Sequence, residues 1–224
     1  MQVALISHTP NPELLIASAA RVSSTAARAC GISGKLTSDQ VAKLLHYLLS
    51  AGHLSPFEHA SFTFAIEGIS RAASHQLVRH RLASFTQQSQ RYVAFQKLDY
   101  ITPHTIATLP ELEVKYRQFV ESSHQLYCQM MEQGIPAEDA RYILPQAAET
   151  QLVMTMNARE LMYASSLRLC RRAQWEILRL FEVIKEEVEK VAPLIAAELN
   201  AKCYRLGYCD EVDGCGRFPK RETT

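Results

Sequence analysis

The sequence predicts an α/β (α+β) fold, a single domain in which a mixed sheet is flanked by several long helices. Three observations carry this expectation. Apolar residues recur at helical spacing over several long segments. Three short segments rich in Val, Ile, Phe and Thr read as strands, one of them with clean alternation. No Gly/Ser run, Pro-rich stretch, low-complexity segment or internal repeat divides them.

Residues 2–7, QVALIS, open as a short strand. Asn11-Pro12 follows as an N-cap with proline at the first helical position. Residues 38–52 form the clearest amphipathic helix: Val41, Leu44, Leu45, Leu48 and Leu49 share one face, and Gly52 closes it. In residues 61–68, Phe62, Phe64 and Ile66 alternate with Thr63, Ala65 and Glu67, the pattern of a half-buried strand. Helical spacing returns from Ile69 to about His80, and a polar loop is expected after it. Residues 110–134 read as a long helix between Pro110 and Gly134, and residues 136–144 as a short one stopped before Pro145. Residues 150–157 are a further strand. Asn157, with Glu160 three residues on, is an N-cap pair opening a helix over 158–169. A long amphipathic helix spans 172–191, and the tail from Lys202 lacks periodicity.

Composition narrows the function. A chain of 224 residues, 47% of them hydrophobic, is long enough to bury about 70% of its unfolded surface and so to form a real core. The formal net charge is +1, too near neutral for a protein that coats nucleic acid, so no nucleic acid polymer is expected as partner. No apolar run suits a membrane span or a signal peptide, and a cytoplasmic protein without membrane partners is expected. Six cysteines in such a chain read as thiols rather than disulfides.

The positive charge is local. Residues 79–91, RHRLASFTQQSQR, hold three arginines and a histidine, and no acid occurs between Glu67 and Asp99. Average composition would place ~3 acids in that window. Crowded arginines without counter-acids repel one another unless an anion joins them, which suits a compact anionic ligand. The stretch has no glycine and the chain has no glycine-rich phosphate loop, so phosphate binding falls to guanidinium forks and serine hydroxyls. The glutamines can donate and accept, as reading a base or a flavin edge requires. Ser89 lacks an oriented His–carboxylate pair in the local spacing and reads as a phosphate-binding hydroxyl, not a nucleophile.

Residues 79–91 match at every specified position the RHRxxSxxxxSxR signature of the flavin-dependent thymidylate synthases: Arg79, His80, Arg81, Ser84, Ser89 and Arg91. GHLSPFEHASFTF from Gly52, NARELM at 157 and RRAQWEI at 171 resemble further segments of that family, so the likeness covers roughly residues 14–185. The resemblance implies that family's fold and its reaction: dUMP becomes dTMP, methylenetetrahydrofolate gives the carbon, and FAD carries electrons from NADPH. It implies that His53, Ser55, Arg79, His80, Arg81, Gln87, Asn157, Arg159 and Tyr163 serve FAD. It implies that Gln76, Leu77, Val78, Arg79, Gln87, Gln88, Ser89, Gln90, Arg91 and Arg141 hold dUMP, with Arg168 facing the uracil ring as the catalytic residue. It also implies a homotetramer with shared active sites. Gln87 stands where many members carry Glu, and Tyr163 where many carry Asn. A fixed cation near N3 and O4 of uracil stabilises charge that develops there, and a guanidinium suits that role because it stays charged. The alternative is a flavin- or nucleotide-binding protein of the same fold with another substrate.

The family likeness leaves the tail unexplained. Residues 1–201 are expected as the domain and 202–224 as a cysteine-containing extension. Cys203, Cys209 and Cys215 step by six residues, wider than usual metal-ligand pairs and lacking a fourth ligand. No metal is expected on that spacing.

Overall fold

The computed structural model describes residues 1–26, 28–31 and 36–221. The elements run in the order β1 (Gln2–His8), α1 (Pro12–Val22), α2 (Ser38–Ser50), β2 (Ser61–Ser70), α3 (Arg71–Leu77), β3 (Ala83–Gln87), α4 (His104–Ala107), α5 (Pro110–Glu132), α6 (Ala137–Ala140), β4 (Glu149–Asn157), α7 (Ala158–Arg168), α8 (Trp175–Glu189), α9 (Pro193–Glu198) and α10 (Lys202–Leu206). Short 3-10 turns at Ala29–Gly31, Ser55–His59 and Arg141–Ile143 complete them. No helix among the described residues is long and apolar enough to cross a membrane.

The expected α/β class holds, with helices dominant around one four-stranded sheet of order β1-β2-β4-β3. The sheet, expected to be mixed, is antiparallel. The end of β1 meets the start of β2 where the Thr9 N–H donates to the Ser61 carbonyl, 2.9 Å. The residue after β4 returns to the start of β2, the Ala158 N–H donating to the Ala60 carbonyl at 2.8 Å. The residue after β3 pairs with the start of β4 through Gln88 N–H and the Gln151 carbonyl, 2.9 Å. Strand β3 is a correction to the polar loop expected there. Its residues alternate half-buried Ala83, Phe85 and Gln87 with exposed Ser84 and Thr86. An edge strand carries polar residues on its open side, so its pattern lacks the apolar contrast of a central strand. Helix α3 likewise begins later than expected, at Arg71, because β2 continues through Ile69 and the Ser70 hydroxyl caps the helix from the Ala73 N–H at 3.0 Å.

Contacts gather the chain into two compact units. The first comprises Met1–Gln2, Ile66–Arg79 and Phe85–Val153. Its core includes Leu98, Val120 and Ala148, with Tyr100, Tyr116 and Leu144 packed against them. Gly68 here has φ +71, and a Cβ on it would lie 2.8 Å from the Met1 nitrogen, so both backbone angle and space demand glycine. The second unit comprises Val3–Ala65, His80–Ser84 and Met154–Thr224. Ile16, Leu45, Phe57, Phe62, Phe64, Leu161, Ile177 and Phe181 are buried in it, each contributing about 2 kcal/mol through apolar burial. Helix α2 matches its expected apolar face, with Val41, Leu45 and Leu48 buried, and Gly52 at φ +74 follows its C-cap. Asn11 stands at the N-cap of α1 as expected but makes no side-chain capping bond.

Candidate functional site

Helix α7 begins where β4 ends. The Asn157 side chain accepts the Glu160 N–H at 2.8 Å, so the expected N-cap is present. The Glu160 carboxylate does not complete a capping box. It turns inward to His80 instead, Oε1 lying 3.2 Å from Nδ1. Arg168 approaches His80 from the other side, its Nε–H donating to Nε2 at 3.0 Å. Glu160 and Arg168 are eight residues apart on α7, about 12 Å along its axis, and their long side chains converge on one imidazole.

This geometry assigns the protons. The Arg168 Nε–H can only donate, so His80 Nε2 accepts, Nδ1 carries the hydrogen, and Glu160 receives it. His80 and Glu160 are 4% and 5% exposed, which makes the chain of bonds a buried one. Burial first, and then the Arg168 charge, hold His80 down to about 4, so its ring is neutral near pH 7. Burial raises the Glu160 carboxyl above its ordinary value. Phe181 and Tyr163 wall the ring, with centroids 6.3 and 6.4 Å away.

The other residues expected to serve a flavin in this unit are carried by α7, by the turn after α2 and by the 3-10 helix Ser55–His59, which packs on α7. Arg159 pairs with Glu58 of that 3-10 helix. Ser55, its first residue, and His53, two residues before it, are exposed, and the exposed Tyr163 lies one turn beyond Arg159. Arg81 stands exposed in the turn before β3. Among the described residues no acid pairs with Arg81, nor with Arg79 in the first unit.

The first unit holds a cavity of about 390 Å³ lined by Arg71, His75, Gln90, Arg141, Tyr142, Leu144, Pro145 and Gln146. That is the size of a small-ligand site. Two guanidinium groups line it and no carboxylate does. Burial, and then the charge of Arg141, lower the pKa of Arg71, as expected for cations crowded without an anion. Arg141 is held from below, its Nε–H donating to the Glu138 carbonyl at 3.0 Å.

The cavity brings together only some of the residues expected to hold a nucleotide. Gln90 and Arg141 line it, while Gln76 follows His75 on α3. Leu77 is fully buried in the core, which leaves only its backbone for a ligand, and Val78 is exposed. The Ser89 hydroxyl accepts the Arg91 N–H at 3.1 Å. Gln87 is turned into the protein, its amide donating to Ser74 Oγ at 2.9 Å and Thr150 Oγ1 at 3.0 Å. The Ser74 hydroxyl already donates to the Arg71 carbonyl at 2.9 Å, so towards residue 87 it can only accept, which suits an amide there. Arg91 is not the unpaired cation that local composition suggests: Glu138, 47 residues on, meets it at 2.6 Å.

The sequence profile described as thymidylate synthase complementing protein matches residues 4–194. The flavin-dependent thymidylate synthase of Geobacter sulfurreducens is 46% identical over 215 residues, covering 94% of this chain and 91% of its own. That of Nitratidesulfovibrio vulgaris is 43% identical, covering 99% and 97%. The chain belongs to the flavin-dependent thymidylate synthase family. A solved structure similar to it is the UMP/dUMP methylase PolB from Streptomyces cacaoi bound with 5-Br dUMP. The TM-score is 0.78 at 26% identity, covering 88% of this chain and 93% of that one. Within this family member, sequence reasoning missed Arg71, His75 and Glu160. Arg71 and His75 lie four apart on one helix face, a signal readable from the sequence. Glu160 was hidden because its place three residues after an N-cap explains an acid there without further function.

Proposed function

We propose that this chain is a flavin-dependent thymidylate synthase, converting dUMP to dTMP with methylenetetrahydrofolate as carbon donor and NADPH as reductant of FAD. The observation that carries this reading is the carboxylate-free cavity with two arginines, in a chain of this family. A nucleoside monophosphate brings close to two negative charges, and Arg71 and Arg141 supply two guanidinium groups to meet them. Gln90, in the same lining, adds an amide that donates and accepts. Ser89 and Arg91 adjoin it in sequence and are assigned to the nucleotide as well, Arg91 exchanging Glu138 for the ligand.

The donor set fits FAD. Arg79 and Arg81 are exposed cations without acid partners among the described residues, and Ser55 offers an exposed hydroxyl. Such groups suit a pyrophosphate in a protein without a glycine-rich cradle. His53, His80, Gln87, Asn157, Arg159 and Tyr163 complete the set, with Gln87 turning from Ser74 and Thr150 to do so. Reduced flavin, when bound, supplies the hydride. Arg168 holds a permanent positive charge against the uracil ring, and the bond through Nε to His80 fixes the plane of its guanidinium. His80 stays neutral, so it accepts that bond across the physiological range.

The active sites are shared in a homotetramer. Support comes from α5, where Leu112, Phe119 and Leu126 are 51%, 64% and 43% exposed at seven-residue steps, an apolar stripe suited to a second helix. The test of the function is direct. Purified protein should be yellow, release FAD on heating and form dTMP from dUMP with methylenetetrahydrofolate and NADPH. A colourless protein that takes up no added FAD, or a flavoprotein that leaves dUMP unchanged, overturns the reading. A parallel assay with UMP separates a deoxynucleotide enzyme from one that accepts both sugars.

A further inference from the structure

Four of the six cysteines belong to one cavity lining. Cys170 lies just past the last residue of α7, Cys203 within α10, and Cys209 and Cys215 in the turns that follow. All four line one small cavity of the second unit, of about 20 Å³. Cys209 is buried, and its Sγ would stand 3.3 Å from a Cβ placed on Gly214. The chain turns at Gly207 and Gly216, both with positive φ, and Cys209 is tied across the turn by its N–H to the Pro219 carbonyl, 2.6 Å. No disulfide joins any of the four.

The three tail cysteines lack a fourth ligand of their own, and the fold supplies Cys170. We propose that Cys170, Cys203, Cys209 and Cys215 form a tetrathiolate site for a single divalent cation that favours sulfur, zinc foremost. Size chooses an ion over a cluster. A cavity of this volume admits roughly one water-sized occupant, whereas an iron–sulfur cluster needs room for several atoms. Charge supports thiolates. Four cations, Arg171, Arg172, Lys202 and Arg217, line the same cavity against two carboxylates, Asp210 and Glu211, which Lys202 meets at 2.9 and 3.3 Å; the surplus positive charge suits the two negative charges that a divalent ion with four thiolates carries.

Among the described residues no group of three or more His, Cys, Asp or Glu is set to hold an ion as it lies. The proposal therefore has the ion itself draw the four sulfurs of the shared lining together. Loading exchanges four thiol protons for one cation, forming four metal–sulfur bonds with no change in oxidation state, and the site closes as it fills. The ion would pin the tail to the end of α7, two residues beyond Arg168.

Full-length protein purified without chelator should contain about one zinc per chain by plasma mass spectrometry, the stoichiometry of a tetrathiolate site. Cobalt(II) in its place should show thiolate charge-transfer absorption and the visible bands of tetrahedral coordination. Cys170→Ser and Cys209→Ser should each lower the metal content, while Cys30→Ser and Cys128→Ser keep it at the wild-type level. If tail variants misfold, the wild-type protein still decides. Stepwise modification with a mercurial should release zinc to a colorimetric indicator as four thiols react. Protein that holds no metal and takes up none from added zinc under reducing conditions overturns the proposal. So does metal retained in both Cys170→Ser and Cys209→Ser, or a native disulfide among the four found by mass spectrometry.

Discussion

Arg141 and Arg168 carry the same guanidinium in opposite settings. In the first unit, Arg141 shares an open cavity with Arg71, no carboxylate lines it, and burial with mutual repulsion lowers the pKa of Arg71. In the second unit, Arg168 is bonded through Nε to a buried neutral histidine that leans on a buried carboxylate. Charge left uncompensated is suited to capture and release of an anion. Charge whose orientation is fixed beforehand is suited to stabilising a transition state, because no reorganisation is needed when the reaction occurs.

That contrast can be broken at Arg168 first. Arg168→Ala should retain FAD by absorbance yet lose ~10²–10³ in dTMP formation, the usual cost of removing one preorganised donor. Activity within threefold of wild type would assign the polarising role to another group.

Acid should distinguish the units next. The folded pKa of His80 is about 4 against an ordinary 6.5, so as pH falls the unfolded chain takes up that proton before the folded one does. Stability from this group is therefore full above pH 6.5 and is lost on the way down to about 4, at most about 3 kcal/mol. Glu160, with its carboxyl raised, works in the opposite sense just above its ordinary value and reduces the net loss. Melting temperature measured across this range should fall with acid in the wild type and fall less in His80→Gln. Equal slopes would remove His80 as the titrating group.

Arg141→Ala tests the capture side. It should raise the KM for dUMP by about 10- to 100-fold with a smaller change in kcat, as loss of a charged hydrogen bond to a ligand does. A fall in kcat with KM unchanged would place Arg141 in the chemistry instead. The smallest expected effect belongs to Glu160. Glu160→Ala strands the buried His80 N–H and should cost about 1–3 kcal/mol in urea unfolding, while Glu160→Gln keeps an acceptor oxygen and should cost less. A Glu160→Gln variant that costs as much as Glu160→Ala would show that the acceptor oxygen alone does not hold His80.

Much of this arrangement is legible in the sequence because it is local. The faces of α2 and β2 follow from apolar spacing, and the N-cap of α7 follows from Asn157 and its distance to Glu160. What escaped is either non-local or disguised. Glu138 reaches Arg91 across 47 residues, so a window free of acids still contains a paired arginine. Strand β3 hides because an edge strand faces solvent with Ser84 and Thr86. Glu160 performs a task that its neighbours in sequence already explain, and Cys170 joins the tail cysteines only through tertiary folding.

Helix α7 carries Arg159, Glu160, Tyr163 and Arg168, with Asn157 before it and Cys170 just after. Their mutual spacing is therefore set by the helical repeat, with almost no independent degrees of freedom. Substitutions in the flanking loops can retune what the site accepts while leaving that spacing intact. A one-residue insertion between Tyr163 and Arg168 would rotate everything after it by about 100° and advance it by about 1.5 Å. It would carry Arg168 away from His80 and Cys170 away from the tail in one step, although every side chain was still present. An engineer altering this enzyme should treat length within α7 as fixed and composition as adjustable.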